Sequence, residues 1–562
     1  MAGDSAVRRW LPGVEVARTY RREWLRPDLA AGVALTALLI PAGMGYAEAA
    51  GLPPETGLYA TIVPLLVYAL VGPSRILVLG PDSSLAPIIG AAVIPLAAGD
   101  PARAVALAGV LAILMGAVLI VGGLLNLGFV TDLLSKPIRL GYLNGIALVV
   151  IVSQIPKLLG FSVEGVDLIG DVTETVRAIA AGRVDPTALA VGAASIAVIV
   201  VFRLFKSRIP GVLVAVAGSI AVAYALGLAE DIPMVGALPR GLPAPALGGL
   251  SWADVASLIG PAAGIAVIAF ADTGVLSRTF AARRGESVDG NQEMRAIGAA
   301  NVASGVFGGF PMSASSSRTP VAEQSGAKTQ LVGVVGALLI VAFVLLAPGL
   351  TANLPSAALA AVVIVAATSL VDVGGMVRMW RMSKTETGLA LAAFLGVALV
   401  GVIEGIAVAI GLSFVAVVVH AWRPYRTELV RVPSVDGFHD IARHPEGHRI
   451  PGLVIVRFDA QLFFANGAMF DDYVRGLVAD APDPVRWVVI AAEPVTGLDT
   501  TPVDELVELD TFLDSRGVRL VFAEMKGPMK DRLIRFGVGD RFGADRFYPT
   551  LDTAVEAFGA SG

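Results

Sequence analysis

The first 420 residues alternate long apolar stretches with short polar connections, and the rest of the chain does not. About 20 apolar residues are needed to cross a bilayer as a helix. On this pattern we predict fourteen membrane segments, at roughly 29–49, 57–72, 84–98, 103–127, 137–159, 186–204, 210–228, 253–273, 293–308, 316–326, 330–348, 356–371, 386–402 and 404–420. Because that number is even, both ends of this part are expected on the same side of the membrane.

Two of these segments, at 84–98 and 316–326, are too short to cross a bilayer as helices. "LVLGPDSSLAPIIG" (77–90) introduces the first, and "VFGGFPMSASSSRTPVAE" (306–323) introduces the second. Each stretch begins with Gly and Pro, passes through a serine cluster and then turns apolar. Each segment is third in its own run of seven if the chain divides 7 + 7. Such interrupted segments at matching positions of two halves indicate a transport site at the bilayer midplane.

The residues of the two interruptions favour an anion pocket. A half-helix that starts at mid-membrane presents free N–H groups and the positive end of its dipole. Serine can cap such an end and supply hydroxyl donors, and Arg318 adds a positive charge. The alternative is that the serines only let helices pack closely. The matched positions of the two clusters favour the pocket.

Composition excludes several classes of chemistry. Hydrophobic residues make up 55% of the 562 residues and charged residues only 16%, against about a quarter charged in soluble domains. There is no cysteine, and the four histidines (His420, His439, His444, His448) all lie at or beyond residue 420. A membrane-embedded enzyme, a metal and a cofactor are therefore not expected. The net charge of −5 gives no indication of nucleic-acid binding, and no phosphate-binding loop of an ATP-driven pump occurs.

The N-terminal 28 residues carry six arginines before the first apolar stretch and do not resemble a signal peptide. By the positive-inside rule, this segment is expected in the cytoplasm. Lys136 and Arg139, in "SKPIRLGY", are interpreted as marking another cytoplasmic edge. We therefore predict a cytoplasmic segment at 1–28, a transmembrane domain at 29–420 and a cytoplasmic domain at 421–562.

The C-terminal part alternates strand-like and helix-like patterns. Three apolar runs read as buried strands: "LVIVRFDAQLFFANG" (453–467), "VRWVVIAAEPV" (485–495) and "RLVFAEM" (519–525). Amphipathic helices are predicted in "AMFDDYVRGLVAD" (468–480), "PVDELVELDTFLDSRG" (502–517) and "PMKDRLIRFGV" (528–538). This alternation predicts a small α/β domain.

Three stretches make the whole chain resemble the SulP family of anion transporters, the bacterial relatives of the solute carrier 26 proteins. They are "PDLAAGVALTALLIPAGMGYAEAAGLPPETGLYATIVPLLVYALVGPSRILVLGP" (27–81), "DGNQEMRAIGAANVASGVFGGFP" (289–311) and "SRTPVAEQSGAKT" (317–329). The resemblance implies a polytopic α-helical membrane protein with fourteen transmembrane segments as a 7 + 7 inverted repeat. It also implies core and gate domains, two half-helices at the midplane, a C-terminal cytoplasmic α/β STAS domain, and a homodimer in the inner (cytoplasmic) membrane.

The resemblance also implies a substrate site between half-helices that start near Ser83 and Ser315. Tyr46, in "PAGMGYA", keeps the aromatic position that lines the anion site, whereas Ala42 replaces the family's glutamine. Ser317 and Arg318 match the serine–arginine pair of several members. The candidate substrate-binding residues are Ala42, Tyr46, Ser83, Ser84, Ser315, Ser316, Ser317 and Arg318.

Asp272, in "GIAVIAFADTGVLSRTFA", is an ionisable residue between apolar stretches. Such a group at membrane depth is costly and usually functional. Many relatives place a glutamate here, and the bicarbonate-transporting branch an aspartate. We expect Asp272 to be the proton-coupling acid, with Arg318 nearby; the alternative is a static ion pair. Leu276 stands where sodium-coupled relatives carry a hydroxyl, so proton coupling is favoured over sodium coupling, although Thr273 and Ser277 are close.

"GLDTTPVDEL" (497–506) falls where soluble STAS relatives carry an Asp-Ser phosphorylation site at a helix start. Thr500 matches that serine, and Asp499 precedes it. A phosphate would be electrostatically favourable at that position. The alternative is that Thr500 is only a helix N-cap.

Together these features predict a secondary active transporter of small anions that works by alternating access, with proton symport and no cofactor. Hydroxyls, amide dipoles and one arginine suit sulfate, bicarbonate or a small dicarboxylate. We rank sulfate or bicarbonate first and a C4-dicarboxylate second. An uncoupled anion channel or exchanger, and a sensor that signals through the STAS-like domain, remain alternatives.

Overall fold

The computed structural model describes residues 10–128, 136–163, 168–205, 210–242, 244–245, 247–315, 318–433 and 435–561. The chain divides into two compact units, Met1–Ser413 and Phe414–Gly562. The first unit is almost entirely helical, whereas the second contains a mixed β-sheet with helices.

The helices of the apolar part coincide with the fourteen predicted segments. They are α1 (Pro12–Arg18), α2 (Leu25–Ala49), α3 (Pro54–Val71), α4 (Ala86–Ala97), α5 (Pro101–Leu124), α6 (Lys136–Leu158), α7 (Leu168–Ala180), α8 (Pro186–Leu204), α9 (Gly211–Leu226), α10 (Trp252–Arg283), α11 (Gly290–Val306), α12 (Arg318–Gln324), α13 (Leu331–Leu346), α14 (Ser356–Thr368), α15 (Val373–Met382), α16 (Lys384–Leu395) and α17 (Val402–Trp422). The hydropathy pattern did not predict α1, α7 and α15. Among the described residues, seven helical stretches are long and apolar enough to cross a membrane, and the apolar helices α4, α9 and α13 are shorter.

Helix α10 extends ten residues beyond 273, where its predicted segment ended. It begins with a capping box, in which Ser251 Oγ accepts from the backbone N–H of Asp254 (3.2 Å) and Asp254 Oδ2 accepts from the N–H of Ser251 (2.9 Å). Its second half contains Thr273 and Ser277, which lowers the hydropathy although both side chains are buried. The helix continues because these polar groups find protein partners.

Helices α5 and α11 pack against each other along a seam of glycines spaced seven residues apart. A Cβ atom at Gly305 would lie 2.2 Å from the carbonyl oxygen of Gly109, and one at Gly116 would lie 2.5 Å from that of Gly298. The positions run in opposite directions along the two helices, so the pair is antiparallel. Close backbone approach through small residues is a common way for membrane helices to associate.

The two Gly/Pro interruptions meet in a two-stranded antiparallel sheet formed by β1 (Leu79–Gly80) and β2 (Ser313–Ala314). Leu79 pairs with Ala314, and Gly80 pairs with Ser313. The N–H of Ser315 extends the pairing by donating to the carbonyl oxygen of Val78 (3.0 Å). The predicted correspondence of the two short segments therefore takes the form of a direct backbone contact.

Asp28 fastens the start of α2 to the residues that follow α12. Its fully buried carboxylate accepts hydrogen bonds from the N–H of Lys328 (2.6 Å), the N–H and hydroxyl of Thr329 (3.2 and 2.6 Å) and the hydroxyl of Tyr20 (3.1 Å). A buried carboxylate requires such partners, since an unpaired one is expensive to desolvate. This clamp fixes the far end of the second half-helix.

The second unit contains a six-stranded sheet in the order β4–β3–β5–β6–β7–β8. Its elements are β3 (Arg426–Arg431), β4 (Phe438–Asp440), β5 (Leu453–Phe458), α18 (Gly467–Ala479), β6 (Trp487–Ala491), α19 (Thr500–Asp514), β7 (Arg519–Ala523), α20 (Gly527–Arg535), β8 (Phe547–Tyr548) and α21 (Leu551–Ala560). Strands β5 to β8 are parallel, and β3 is antiparallel to β5. The three predicted strands and three predicted helices are confirmed. The short β3, β4 and β8 and the helix α21 were not predicted, because none of them forms a long apolar run.

We expect Gly298→Ala to destabilise the membrane part, because the new methyl group would lie 2.7 Å from the carbonyl oxygen of Gly116. Overpacking of this kind costs about 1–3 kcal/mol. The measurement is the thermal unfolding midpoint of purified protein in detergent. Gly218→Ala on α9 is the control, because a Cβ there meets nothing within 4 Å; its midpoint should hold or rise. Equal midpoints for the two variants would contradict a close-packed seam.

Candidate functional site

The first interruption places an acid and two serines between β1 and α4. Ser83 and Ser84 are buried, and Asp82 is half-buried. Asp82 Oδ2 accepts hydrogen bonds from the N–H of Ser84 (3.2 Å) and from its hydroxyl (2.7 Å). The N-cap residue of α4 is Leu85, which makes no side-chain hydrogen bond to the helix. At this described helix start the expected serine cap is absent, since Leu85 and not a serine occupies the N-cap position.

The second interruption has a serine in the expected role. Ser315 is buried, and its Oγ accepts from the N–H of Arg318 (3.3 Å) while its carbonyl oxygen accepts from the N–H of Thr319 (3.2 Å). Helix α12 has only seven residues, so its dipole alone contributes little. Two further candidates, Ser316 and Ser317, lie outside the described residues.

Arg318 crosses from the second interruption to the first. Its side chain is buried, with the residue 2% exposed, and Nη2 donates to the carbonyl oxygen of Pro81. Within the described part of the chain, Nε and Nη1 have no hydrogen-bond partner. A Cβ at position 80 would lie 3.0 Å from Nη1, and the backbone there has φ +153°, so Gly80 suits both the space and the conformation.

Tyr46 approaches the same junction from α2. The residue is 4% exposed; its hydroxyl interacts with the side chain of Ser83, and both Asp82 and Arg318 act on it electrostatically. Ala42, one turn earlier, is half-buried against the same apolar cluster. The fold thus brings Tyr46, Ser83 and Arg318 together, as the sequence predicts. Buried N–H groups of a cation that lack partners are suited to an anion.

Asp272 is half-buried on α10, beside the junction. The next residue fixes this position, since Thr273 Oγ1 accepts from the N–H of Ala314 in β2 (3.2 Å). The charges that act on Asp272 are Arg139 of α6 and Asp82. Asp82 is also a charge that acts on Arg318. Arg139, which the sequence suggested was only an edge marker, is therefore a further cation that acts on this acid; the expected influence of Arg318 on Asp272 stays a prediction.

Sequence reasoning missed two acids near this site. Asp82 stands between the Gly-Pro break and the serines, so its position in the sequence could have identified it as part of the site. Glu293, in "DGNQEM", is 1% exposed and accepts hydrogen bonds from the hydroxyls of Tyr68 (2.5 Å) and Ser277 (2.6 Å). These bonds join α3, α10 and α11. Glu293 is the first residue of the predicted segment 293–308. A charged residue at the end of a membrane segment is expected near water, so its burial was not predicted.

Thr500 in the second unit is the first residue of α19. The N-cap position belongs to Asp499, which makes no side-chain cap bond, so the N-cap alternative for Thr500 is wrong. Thr500 is exposed and lines a cleft of about 510 Å³ together with Thr501, Arg532 and Arg535. Arg532 Nη1 donates to the carbonyl oxygen of Leu498 (3.1 Å), which holds the cation near the helix start.

Known proteins match this arrangement over the whole chain. The sulfate permease family model matches residues 25–393, and the STAS domain model matches 444–554. A Mycobacterium tuberculosis protein named "Probable sulfate transporter" is 40% identical over 550 residues, which cover 98% of each chain.

Two solved structures share the fold. The murine solute carrier 26 family member A9 anion transporter, in its inward-facing state, has a TM-score of 0.92 at 20% identity, covering 100% of this chain and 95% of that one. The transmembrane domain of a cyanobacterium bicarbonate transporter, BicA, has a TM-score of 0.60 at 23% identity, covering 71% and 98%. The predicted fold class, a fourteen-segment 7 + 7 membrane part followed by a STAS domain, is confirmed. The chain therefore belongs to the sulfate permease family and is a multi-pass membrane transporter, not an enzyme.

Proposed function

We propose that this protein is a secondary active transporter that carries sulfate or bicarbonate across the cytoplasmic membrane by alternating access, in symport with a proton. The observation that carries the proposal is the buried guanidinium of Arg318, whose Nε and Nη1 lack partners within the described part of the chain. An anion that accepted hydrogen bonds from these two groups would satisfy them, and burial would strengthen the interaction.

The groups around Arg318 give a physical reason for proton coupling. Asp82 acts electrostatically on both Arg318 and Asp272. An arriving anion would add a further negative charge beside these two carboxylates. Protonation of Asp272 would remove one of the negative charges, so anion and proton would each favour the binding of the other. Arg139 can then attract Asp272 again after the proton leaves.

The hydroxyls nearest Asp272 along α10 support a proton over a sodium ion. Thr273 Oγ1 already accepts from the backbone of β2, and the hydroxyl of Ser277 donates to Glu293. Leu276, between them, offers no oxygen ligand. A sodium ion requires several oxygen ligands, as hard cations do, whereas a proton requires only the carboxylate of Asp272.

Sulfate is the first substrate to test, because the 40% identical Mycobacterium tuberculosis relative is named as a sulfate transporter. Bicarbonate ranks beside it, because Asp272 matches the aspartate that the bicarbonate-transporting relatives carry. A C4-dicarboxylate is the second class of substrate. An uncoupled channel or exchanger is the alternative mechanism. Fixed dipoles and one arginine select for charge and size only loosely.

We further propose that the transmembrane domain comprises 29–420 and the cytoplasmic STAS domain 421–562, with both termini in the cytoplasm and two copies forming a homodimer. The six arginines before α2 support this orientation. Cross-linking of the native membrane would test the dimer.

Arg318→Gln should lower anion uptake into proteoliposomes by about 10- to 100-fold, because charge-assisted hydrogen bonds contribute about 1.5–3 kcal/mol. Uptake of labelled sulfate, bicarbonate and fumarate measures this. Arg103→Gln is the matched control, since Arg103 is more exposed and pairs with Asp254 (2.8 Å) at a helix end. Wild-type uptake by a folded Arg318→Gln protein would contradict the proposed site.

Asp272→Asn should abolish accumulation driven by an inward proton gradient, because amide side chains do not take up the proton. Exchange of internal for external anion should persist, since it needs no net proton movement. The measurement compares both modes with and without the gradient, and Asp254→Asn serves as the control. If anion accumulation is the same with and without the proton gradient, and the variant accumulates as much as wild type, then Asp272 is structural and the uncoupled mechanism is favoured.

Thr500 is proposed as a regulatory phosphorylation site. Its exposure at the start of α19 and the two arginines of the same cleft would favour a phosphate electrostatically. Mass spectrometry of protein from native cells should find phosphate on Thr500, and Thr500→Glu should change the transport rate whereas Thr496→Glu should not. Absence of phosphate under all growth conditions, together with an unchanged rate, would contradict the proposal.

A further inference from the structure

An ion pair joins the ends of two helices of the membrane part. Lys157 Nζ of α6 lies 3.1 Å from Glu48 Oε2 of α2. The side chain of Lys157 is 32% exposed and that of Glu48 is 13% exposed, so the pair is partly shielded from water.

The two helices belong to different packing groups. Helix α2 packs on α3 and α13, and α3 packs in turn on α11 of the glycine seam. We call this set, α2–α5 and α10–α13, the core group; it contains both interruptions and Asp272. Helix α6 packs chiefly on α14 and α16, which with α8 and α9 form the gate group. Helix α2 also contacts α14 and α9 of the gate group, whereas its contact with α6 is slight.

The other end of α6 also carries a cation that acts electrostatically on an acid of the core group. Arg139 acts electrostatically on Asp272, and the buried Tyr142 hydroxyl, which has no partner among the described residues, lies within the influence of the same acid. Arg139 and Lys157 are separated by ~27 Å along the helix. Helix α6 therefore presents a cation to the core group at each end.

We propose that the Glu48–Lys157 ion pair is a latch that keeps the outer end of the transport path closed, and that it opens when the core group moves past α6. This rests on the proposed alternating access and on the proposed orientation, in which the chain before α2 is cytoplasmic and the end of α2 is therefore outside. A slide of one helical turn, about 5 Å, would carry the charges out of contact. A partly exposed ion pair stabilises one conformation only modestly, which suits an equilibrium that must reverse in every transport cycle.

A second ion pair at the same end provides an internal comparison. Arg103 Nη2 of α5 lies 2.8 Å from Asp254 Oδ1 of α10, and both helices belong to the core group. Arg103 Nε also donates to the carbonyl oxygen of Leu96 in α4 (2.9 Å). Helix α4 reaches the end of α2, since a Cβ at Gly51 would lie 2.6 Å from Ile94. This pair should stay intact when the core group moves as a body.

The first test measures how accessible the transport path becomes from outside when the ion pair is removed. The chain has no cysteine, so Ala42→Cys creates a single reporter thiol about 9 Å deeper along α2 than Glu48. In intact cells, Lys157→Gln should raise its labelling rate by a membrane-impermeant maleimide about fivefold, whereas Asp254→Asn should not. The charge exchange of Glu48→Lys with Lys157→Glu should restore slow labelling. An unchanged rate, or no labelling, in the Lys157→Gln background would overturn the latch.

The second test cross-links positions 48 and 157, so that the two helices cannot separate there. Glu48→Cys with Lys157→Cys, joined by a short reductant-cleavable bis-thiosulfonate, should lose anion uptake and regain it on reduction. Arg103→Cys with Asp254→Cys, joined in the same way, should keep transporting. Uptake by the joined 48–157 protein would overturn the latch. If the cysteine-free wild type carries none of the tested anions, the proposed function fails instead, and the labelling rates still decide the latch.

Discussion

The structure depends on one requirement: backbone that leaves a helix inside a membrane must find partners within the protein. β1 and β2 meet this requirement for each other, and Val78 and Ser315 extend their pairing. The pairing places two half-helices, an arginine and a cluster of hydroxyls at one point. Gly80, in β1, is part of the same contact and lies beside the guanidinium. A short piece of sheet therefore organises an otherwise helical membrane domain.

Much of this architecture could be predicted from the sequence because it follows from strong local patterns. Apolar runs predicted the helices, and the matched Gly/Pro breaks predicted the two half-helices. Strand-like runs gave the centre of the second unit. The candidate residues Tyr46, Ser83 and Arg318 do lie together, and a motif supplied each of them. The extension of α10 beyond 273 was not predictable from hydropathy, since its polar residues are satisfied by partners distant in the chain, such as Glu293.

The partners of charged residues were the least predictable feature. Arg139 is 133 residues from Asp272 in the chain, and only packing of α6 beside the core group makes it the cation that acts on that acid. Asp82 was visible in the sequence, but its effect on both Arg318 and Asp272 depends on where the two breaks meet. The amino-acid sequence shows which charged residues lie in the apolar part, whereas the fold decides which of them interact.

The glycine seam between α5 and α11 has a mechanical consequence. Where backbone touches backbone, no side-chain rotamers lie between the helices to absorb a displacement, and close-packed interiors transmit strain instead of yielding. Gly116 and Gly298 make such a contact. A displacement of one helix of the seam would therefore displace the other helix by nearly the same amount. Under the alternating access proposed above, the anion site and its neighbouring acid would then move as one rigid body, so the distances that set affinity would stay constant while access changes sides.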